Sequence, residues 1–345
     1  MCSTPGSIRG FIMPSALPGA KNGETLALPQ AYPYGRWGVQ ARRAVATFAR
    51  KKPLGLVGGI ILLLLVLIAA FAPILAPFDP YEVHVLYKYS APGTLYEETG
   101  QRFWLGADQL GRDTLSRLMY GARVSLYVSL ISVGIGVTLG ALVGVMSAYF
   151  GGVVDLIVQR TVDSLMAFPA IILALAIVAI AGASLRNVIL ALIVLLMPAA
   201  ARVVRAQALA VREMDYVLAA RAVGAGPWRI IIQHMVPNCA APYIVFATAN
   251  LGYAVVVEAA LSFLGVGTPP DVPSWGGMLS ITGQKYVEVS PWLVVFPSLV
   301  VSIAVFGFNL LGDALRDIFD PKLKGGHPTR LRIDPAEPLG KGDPA

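Results

Sequence analysis

Charged residues are scarce in this sequence. They make up 14% of its 345 residues, against about a quarter in soluble domains, while 56% are hydrophobic. With a mean hydropathy of +0.67, the chain is expected to be an all-α integral membrane protein rather than a soluble domain. Cysteine is nearly missing too. Cys2 and Cys239 stand far apart and give neither a disulfide framework nor a metal-ligand spacing. The histidines, His84, His234 and His327, are scattered, and no Ser-His-Asp or metal-ligand cluster is evident. No catalytic residue and no metal site is therefore expected. A Gly-x-x-x-x-Gly-Lys-Ser/Thr loop, which would cradle nucleotide phosphates, is also lacking. No cleavable signal peptide is read, because the first hydrophobic run starts near residue 54, too deep and too long for one.

What is present is a series of apolar runs. Stretches near the roughly 20 residues needed to cross a bilayer fall at 54–76, 122–148, 165–182, 187–204, 238–264 and 291–312, predicting six transmembrane helices. The basic residues explain the net charge of +7. Arg42, Arg43, Arg50, Lys51 and Lys52 directly precede the first run and fix that end in the cytoplasm, so membrane lipid rather than nucleic acid is the expected partner. Alternation then puts Arg205, Arg212, Arg221 and Arg229 inside, with Arg316, Lys322 and Lys324 in the tail. The outer stretch 265–290 has one lysine, Lys285, and the outer stretch 77–120 is mixed in charge. Residues 1–47, rich in Pro, Gly, Ala and Ser, read as a flexible cytoplasmic tail in which Met13 offers an alternative start. The expected organisation is this tail, then 48–120 with the first span and an extracytoplasmic segment. A five-helix core at 121–320 holds a cytoplasmic loop at 212–237, and 321–345 form a second tail.

The loop contains the most distinctive stretch, Asp215 to Pro237. Asp215 can cap a short helix, Gly224 ends it, Gly226 turns the chain, and Pro227 starts another helix. Trp228, Ile231, Ile232 and Met235 then share the spacing of one apolar face, which Pro237 closes. Such a helix pair suits the groove of another protein, although an ordinary amphipathic surface helix has the same pattern.

Three further blocks carry chemistry. Trp104 to Arg123 includes Asp108, Gly111, Arg112, Asp113 and Arg117, with Arg112 able to pair with Asp108 or Asp113 at an interface. Trp104 and Tyr120 suit a headgroup belt. Asp155, Arg160, Asp163 and Pro169 precede or open the third span, where Arg160 and Asp163 have the spacing of a helical pair. Pro198 is expected to bend the fourth span. The stretch Glu258 to Leu279 puts an acid inside an apolar span, an expensive placement that marks a translocation path or a packing bond. Ser262 is among its small neighbours. Beyond it Pro270, Pro273 and Trp275 form an outer turn that Trp275 is expected to anchor.

Taken in order, these blocks resemble the C-type permease subunits of dipeptide, oligopeptide and nickel ABC importers. The likeness rests on Ala219-Ala220…Gly224…Pro237, on Leu105-Gly106-Ala107-Asp108…Gly111-Arg112-Asp113…Ser116-Arg117, and on Ala167-Phe168-Pro169. It continues through Glu258-Ala259…Leu261-Ser262-Phe263-Leu264-Gly265…Trp275-Gly276 and Asn309…Gly312-Asp313, covering about residues 50 to 324. Leu218 and Ala107 depart from the family's Glu and Thr.

The resemblance implies a type I importer architecture in a bacterial or archaeal cytoplasmic membrane, with both termini inside. Its implied partners are a related B-type permease, two ATP-binding subunits and an extracytoplasmic binding protein. ATP and Mg would be bound by the ATP-binding subunits, and no cofactor by this chain. Coupling to the ATPase would fall to Asp215, Leu218, Ala219, Ala220, Gly224, Trp228, Ile231, Ile232, Met235 and Pro237. The cargo expected is a peptide, with chelated nickel as the alternative. An ion-coupled secondary transporter using Glu258, Asp163 and Asp155 is the rival of another class.

Overall fold

The structure is a computed structural model in which residues 52–280 and 288–319 are described. The two tails, the cations Arg42, Arg43, Arg50, Lys51, Lys285, Lys322 and Lys324, and Cys2, Met13 and His327 lie outside the described residues.

Five helices are long and apolar enough to cross a membrane, and a bent pair makes up to six. Helix α1 (Pro53–Leu75) opens on a proline, which suits a first turn that has no amide partner to lose. Residues 76–113 form a small aromatic subdomain. A two-stranded antiparallel pairing, β1 (Thr94–Leu95) with β2 (Arg102–Phe103), folds over buried Phe78, Tyr96 and Phe103. Phe78 and Phe103 stack with centroids 4.7 Å apart.

Asp113 then caps helix α2 (Thr114–Phe150), accepting the Ser116 amide at 2.7 Å. At 1.5 Å per residue these 37 residues reach about 55 Å, well beyond a hydrocarbon layer of about 30 Å. Residues 114–121 thus extend the helix ahead of the apolar span expected at 122–148.

The expected third span, 165–182, is broken. Helix α3 (Gly152–Met166) and helix α4 (Ala170–Ala181) meet at 88° around Ala167-Phe168-Pro169. Pro169 has no amide to continue the ladder and disfavours helical backbone just before it, so the turn breaks rather than bends. Twelve residues of α4 rise only about 18 Å.

Helix α5 (Leu185–Arg212) runs unbroken through buried Pro198. Next come α6 (Asp215–Ala222), α7 (Pro227–Ile230), a π-helical turn at Ile231–Met235, and α8 (Val236–Asn238). Helix α9 (Ala240–Phe263), the short α10 (Trp275–Met278) and α11 (Trp292–Phe319) complete the described chain.

Small residues set the closest helix approach. Along α2, Gly136, Gly140 and Gly144 recur every four residues against α5. A Cβ on Gly136 would stand 3.1 Å from Ile193 Cα, and one on Gly140 2.7 Å from Ala200 Cβ. Gly136 faces Ile193 while Gly144 faces Ala201 and Arg205, so α2 and α5 run parallel. Lipid tails are as apolar as leucine, so association inside a bilayer depends on such close packing rather than on water exclusion. Helix α9 runs the other way along α2, since Ser125 meets Glu258 and Thr138 meets Tyr243. At the start of α1, Lys52 pairs with Asp317 near the end of α11, so these two helices are antiparallel as well.

Candidate functional site

Two regions concentrate the residues singled out above, and they lie at opposite ends of α2.

At the C-terminal end of α2 sits an elbow built from α6, α7, the π-turn and α8. Val217, Ile230, Ile231 and Met235 are buried in one cluster with Val145, Ala148, Val204, Ala208, Val211 and Cys239. This corrects the single apolar face expected of Trp228, Ile231, Ile232 and Met235. Ile231 and Met235 face the bundle, whereas Trp228 and Ile232 are 60% and 61% exposed. The π-turn at Ile231–Met235 departs from the 3.6-residue phase on which that face depended, while Trp228 lies ahead of it at the exposed start of α7.

Asp215 is also corrected. It stands inside the first turn of α6 with Met214 at the cap position, and no side-chain capping bond forms there. Its negative charge still sits favourably against the helix dipole. Gly224 adopts φ +82°, a backbone that other residues resist, and the Ala225 amide closes the helix on Ala220 O at 3.0 Å. Leu218, Ala219, Gly224 and Pro237 are exposed, Ala220 is half-buried, and Val223 protrudes with 85% of its surface free.

The elbow rests on a braced platform. Arg205 of α5 grips Asp155 of α3 through two nitrogens, at 2.7 and 2.5 Å, and Ser147 of α2 bonds the same carboxylate. Arg212 donates to Ala148 O at 2.9 Å. Asp163 pairs with Arg202 of α5, not with Arg160 as the helical spacing suggested. Sequence reasoning missed Arg202 because only the fold brings α5 beside α3.

At the other end, the block 104–123 and the stretch 258–279 come together. Asp108 takes Arg112 Nε at 2.7 Å and lies 3.7 Å from Arg117 Nε, which settles the choice left open for Arg112. Asp113 is committed to α2 instead, accepting both the amide and the hydroxyl of Ser116 at 2.7 Å. Burial pushes its carboxyl above the usual range, and the Ser116 bonds oppose that shift. Gly111 adopts φ +82° where any Cβ would collide with the His84 carbonyl.

Trp275 holds the outer turn from within the bundle. It is fully buried, and its Nε1 donates to Leu118 O at 3.0 Å. The wedge fits because Gly121 offers no side chain: a Cβ there would stand 2.9 Å from the indole. Pro273 is buried and Pro270 exposed beside it.

Glu258 is fully buried between α9 and α2, its two oxygens accepting from Ser125 and Ser262, each at 2.9 Å. The chain of hydroxyls continues from Ser262 to Thr268 at 3.0 Å and from Thr268 to Ser274 at 2.5 Å. Ser262 and Thr268 border a cavity of about 620 Å³ that also reaches Asp108, Arg112, Arg117 and Asp271.

Comparison with known proteins gives a consistent picture. The model of the binding-protein-dependent transport system inner membrane component matches residues 136–325, and that of the N-terminal transmembrane domain of oligopeptide transport permease C matches 41–92. The dipeptide transport system permease protein DppC of Alkalihalophilus pseudofirmus is 40% identical over 80% of this chain and 88% of its own length. The di/tripeptide permease DppC of Pseudomonas aeruginosa is 42% identical over 81% and 91%. The glutathione transport system permease protein GsiD of Pectobacterium atrosepticum is 40% identical over 77% and 86%. The solved inward-facing MetNI methionine ABC transporter aligns with a TM-score of 0.48 at 23% identity, covering 59% of this chain and 96% of that one, too distant a likeness to argue from.

Proposed function

Since the chain belongs to the family of binding-protein-dependent transport system inner membrane components, we propose that it moves short peptides across the cytoplasmic membrane as the C-type permease of an ATP-driven importer. It is a multi-pass membrane protein and a transport subunit, not an enzyme. Its proposed assembly contains a related B-type permease, two ATP-binding subunits that hold ATP and Mg, and an extracytoplasmic binding protein. Both termini lie in the cytoplasm on this reading, which places the elbow inside and the cavity outside.

The elbow carries the reading. Its inner face is locked to α2 and α5 by Ile230, Ile231 and Met235, while Leu218, Val223, Trp228 and Ile232 remain exposed on a polar rim. A rigid helix pair with free apolar residues is suited to a partner's groove, and in a membrane protein a cytoplasmic one. ATP-driven closure of the partner subunits would push this elbow, and the braces Asp155–Arg205 and Asp163–Arg202 would pass the motion to α3 and α5. Delivery of substrate outside must then bias hydrolysis inside by the same coupling free energy.

The same braces argue against an ion-coupled transporter. Asp155 and Asp163 are already paired with arginines, leaving neither as an open cation site. The test is ATPase activity after co-reconstitution with the candidate partners, comparing di- to oligopeptides with nickel chelates. Stimulation by peptides alone supports the proposal. Stimulation by chelates alone moves the cargo to nickel, and no assembly at all refutes the importer reading.

A further inference from the structure

We propose that the cavity at the N-terminal end of α2 receives the free C-terminal carboxylate of a peptide in transit, held by Arg112 and Arg117. The inference rests on the peptide-importer reading and adds to it a recognition site within the permease itself.

The cavity, about 620 Å³, has the size of sites that take small organic ligands. Its floor holds two guanidinium groups that are only 7% and 4% exposed, and between them stands a single carboxylate, Asp108. Buried charges persist only where they are paired and hydrogen-bonded. Asp108 is already crowded: Oδ1 accepts the amides of Leu110 and Arg112, and Oδ2 accepts Arg112 Nε. Arg117 gives Nη1 to Pro80 O at 3.1 Å. Among the described residues, Nη2 of Arg117 and both terminal nitrogens of Arg112 have no protein acceptor, and none of them is sealed away, so they are open to whatever fills the cavity.

Asp113 does not meet this need: its Oδ2 takes Ser116, its buried Oδ1 has no partner among the described residues, and it does not border the cavity. Asp271 borders the cavity from an exposed position; its charge acts on Arg117 from a distance but gives it no hydrogen bond, which leaves it suited to the ammonium end of a zwitterion. A second carboxylate entering the cavity would supply the missing acceptors, and the planar guanidinium fork matches it with paired bonds. Leu264, Met278 and Leu293 add apolar wall that selects for no particular side chain. An occupant would also border Ser262 and Thr268, whose hydroxyls lead to Glu258 and the α2–α9 contact. Filling the site and shifting the helices are thus physically connected.

The test uses the full reconstituted transporter in proteoliposomes, with the binding protein saturated either by trialanine or by its C-terminal amide. Saturation removes the binding protein's own preference from the comparison. The wild type is expected to import the free acid about tenfold faster than the amide, the scale of one charge-assisted bond. Arg117→Gln is expected to bring the two rates to within about twofold by slowing the acid, and Arg117→Lys to keep part of the preference.

Equal import of acid and amide by the wild type would overturn the proposal, and needs no variant that assembles. An unchanged ratio in Arg117→Gln would overturn it as well. So would an equal rise, for both peptides, in the binding-protein concentration needed for half-maximal rate, which would mean that an acid of the binding protein docks there instead. If the wild type imports neither peptide, the peptide-importer reading itself has failed, and this site with it.

Discussion

Glu258 offers a sharp separation between a packing acid and a transport acid. Its two oxygens accept from Ser125 on α2 and from Ser262 on its own helix, both at 2.9 Å. Glutamine keeps the length, and its carbonyl still accepts one hydroxyl. Its amide turns donor toward the other serine, whose oxygen has lone pairs to accept with. Glu258→Gln should therefore fold and transport at a rate within about twofold of the wild type. Leucine has nearly the same volume but orphans the Ser125 hydroxyl, while Ser262 keeps Thr268 as a partner at 3.0 Å. Such an orphan costs roughly 1–3 kcal/mol, and a serine on a helix recovers part by bonding to a carbonyl one turn back, as Ser129 does to Leu126 O. A net loss of about 1 kcal/mol is expected for Glu258→Leu, or about a fivefold fall in the folded-to-unfolded ratio. Denaturant unfolding in mixed micelles, followed by tryptophan fluorescence, reads the stability, and ATP-driven uptake reads the function. A double-mutant cycle with Ser125→Ala should show coupling of about 0.5–3 kcal/mol. If Glu258→Gln is as stable as the wild type yet imports nothing, the packing argument is refuted and the carboxylate itself takes part in transport.

Other expectations follow from the same geometry. Val223→Asp and Trp228→Asp alter residues that are 85% and 60% exposed, so the permease should fold normally but lose its ATPase subunit in a pull-down by about tenfold or more. Ile230→Ala removes a fully buried anchor and should cost about 2–5 kcal/mol of stability in the same unfolding assay. Arg205→Ala should uncouple ATP hydrolysis from uptake by releasing Asp155, and the exchange of Asp155→Arg with Arg205→Asp should restore part of the coupling. For Asp113, burial raises the folded carboxyl above its unfolded value, so the native state binds the proton more tightly and stability falls as pH rises between the two. Asparagine caps as well as aspartate. Asp113→Asn should therefore compare least favourably with the wild type near about pH 4 and better toward neutrality, a trend that unfolding across a pH series would display or contradict.

The elbow shows how far local reasoning reaches. Its break at Gly224, its restart at Pro227 and its place between spans all follow from residues a few positions apart. Which side of it faces inward does not, because a π-turn shifts the phase at Ile231 and only packing against Val145 and Val204 selects Ile230, Ile231 and Met235. The third span shows the same division: the kink or start expected at Pro169 is there, but its 88° angle comes only from the fold. Trp275 is expected to anchor the outer turn, but the notch at Gly121 that receives it lies 154 positions earlier in the chain, so only the fold shows where.

By itself, then, the sequence determined the membrane class, the long helices, the breaks between them and the family. All of these depend on hydropathy, on glycine and proline, and on blocks that stay contiguous along the chain. The tertiary structure alone decided the partners: Arg202 for Asp163, Arg205 for Asp155, Ser125 for Glu258, and the meeting of Arg112 and Arg117 with Ser262 around one cavity. Charges and hydroxyls take whichever opposite group the packed helices bring within about 3 Å, and spacing along one helix says nothing of what the next helix presents.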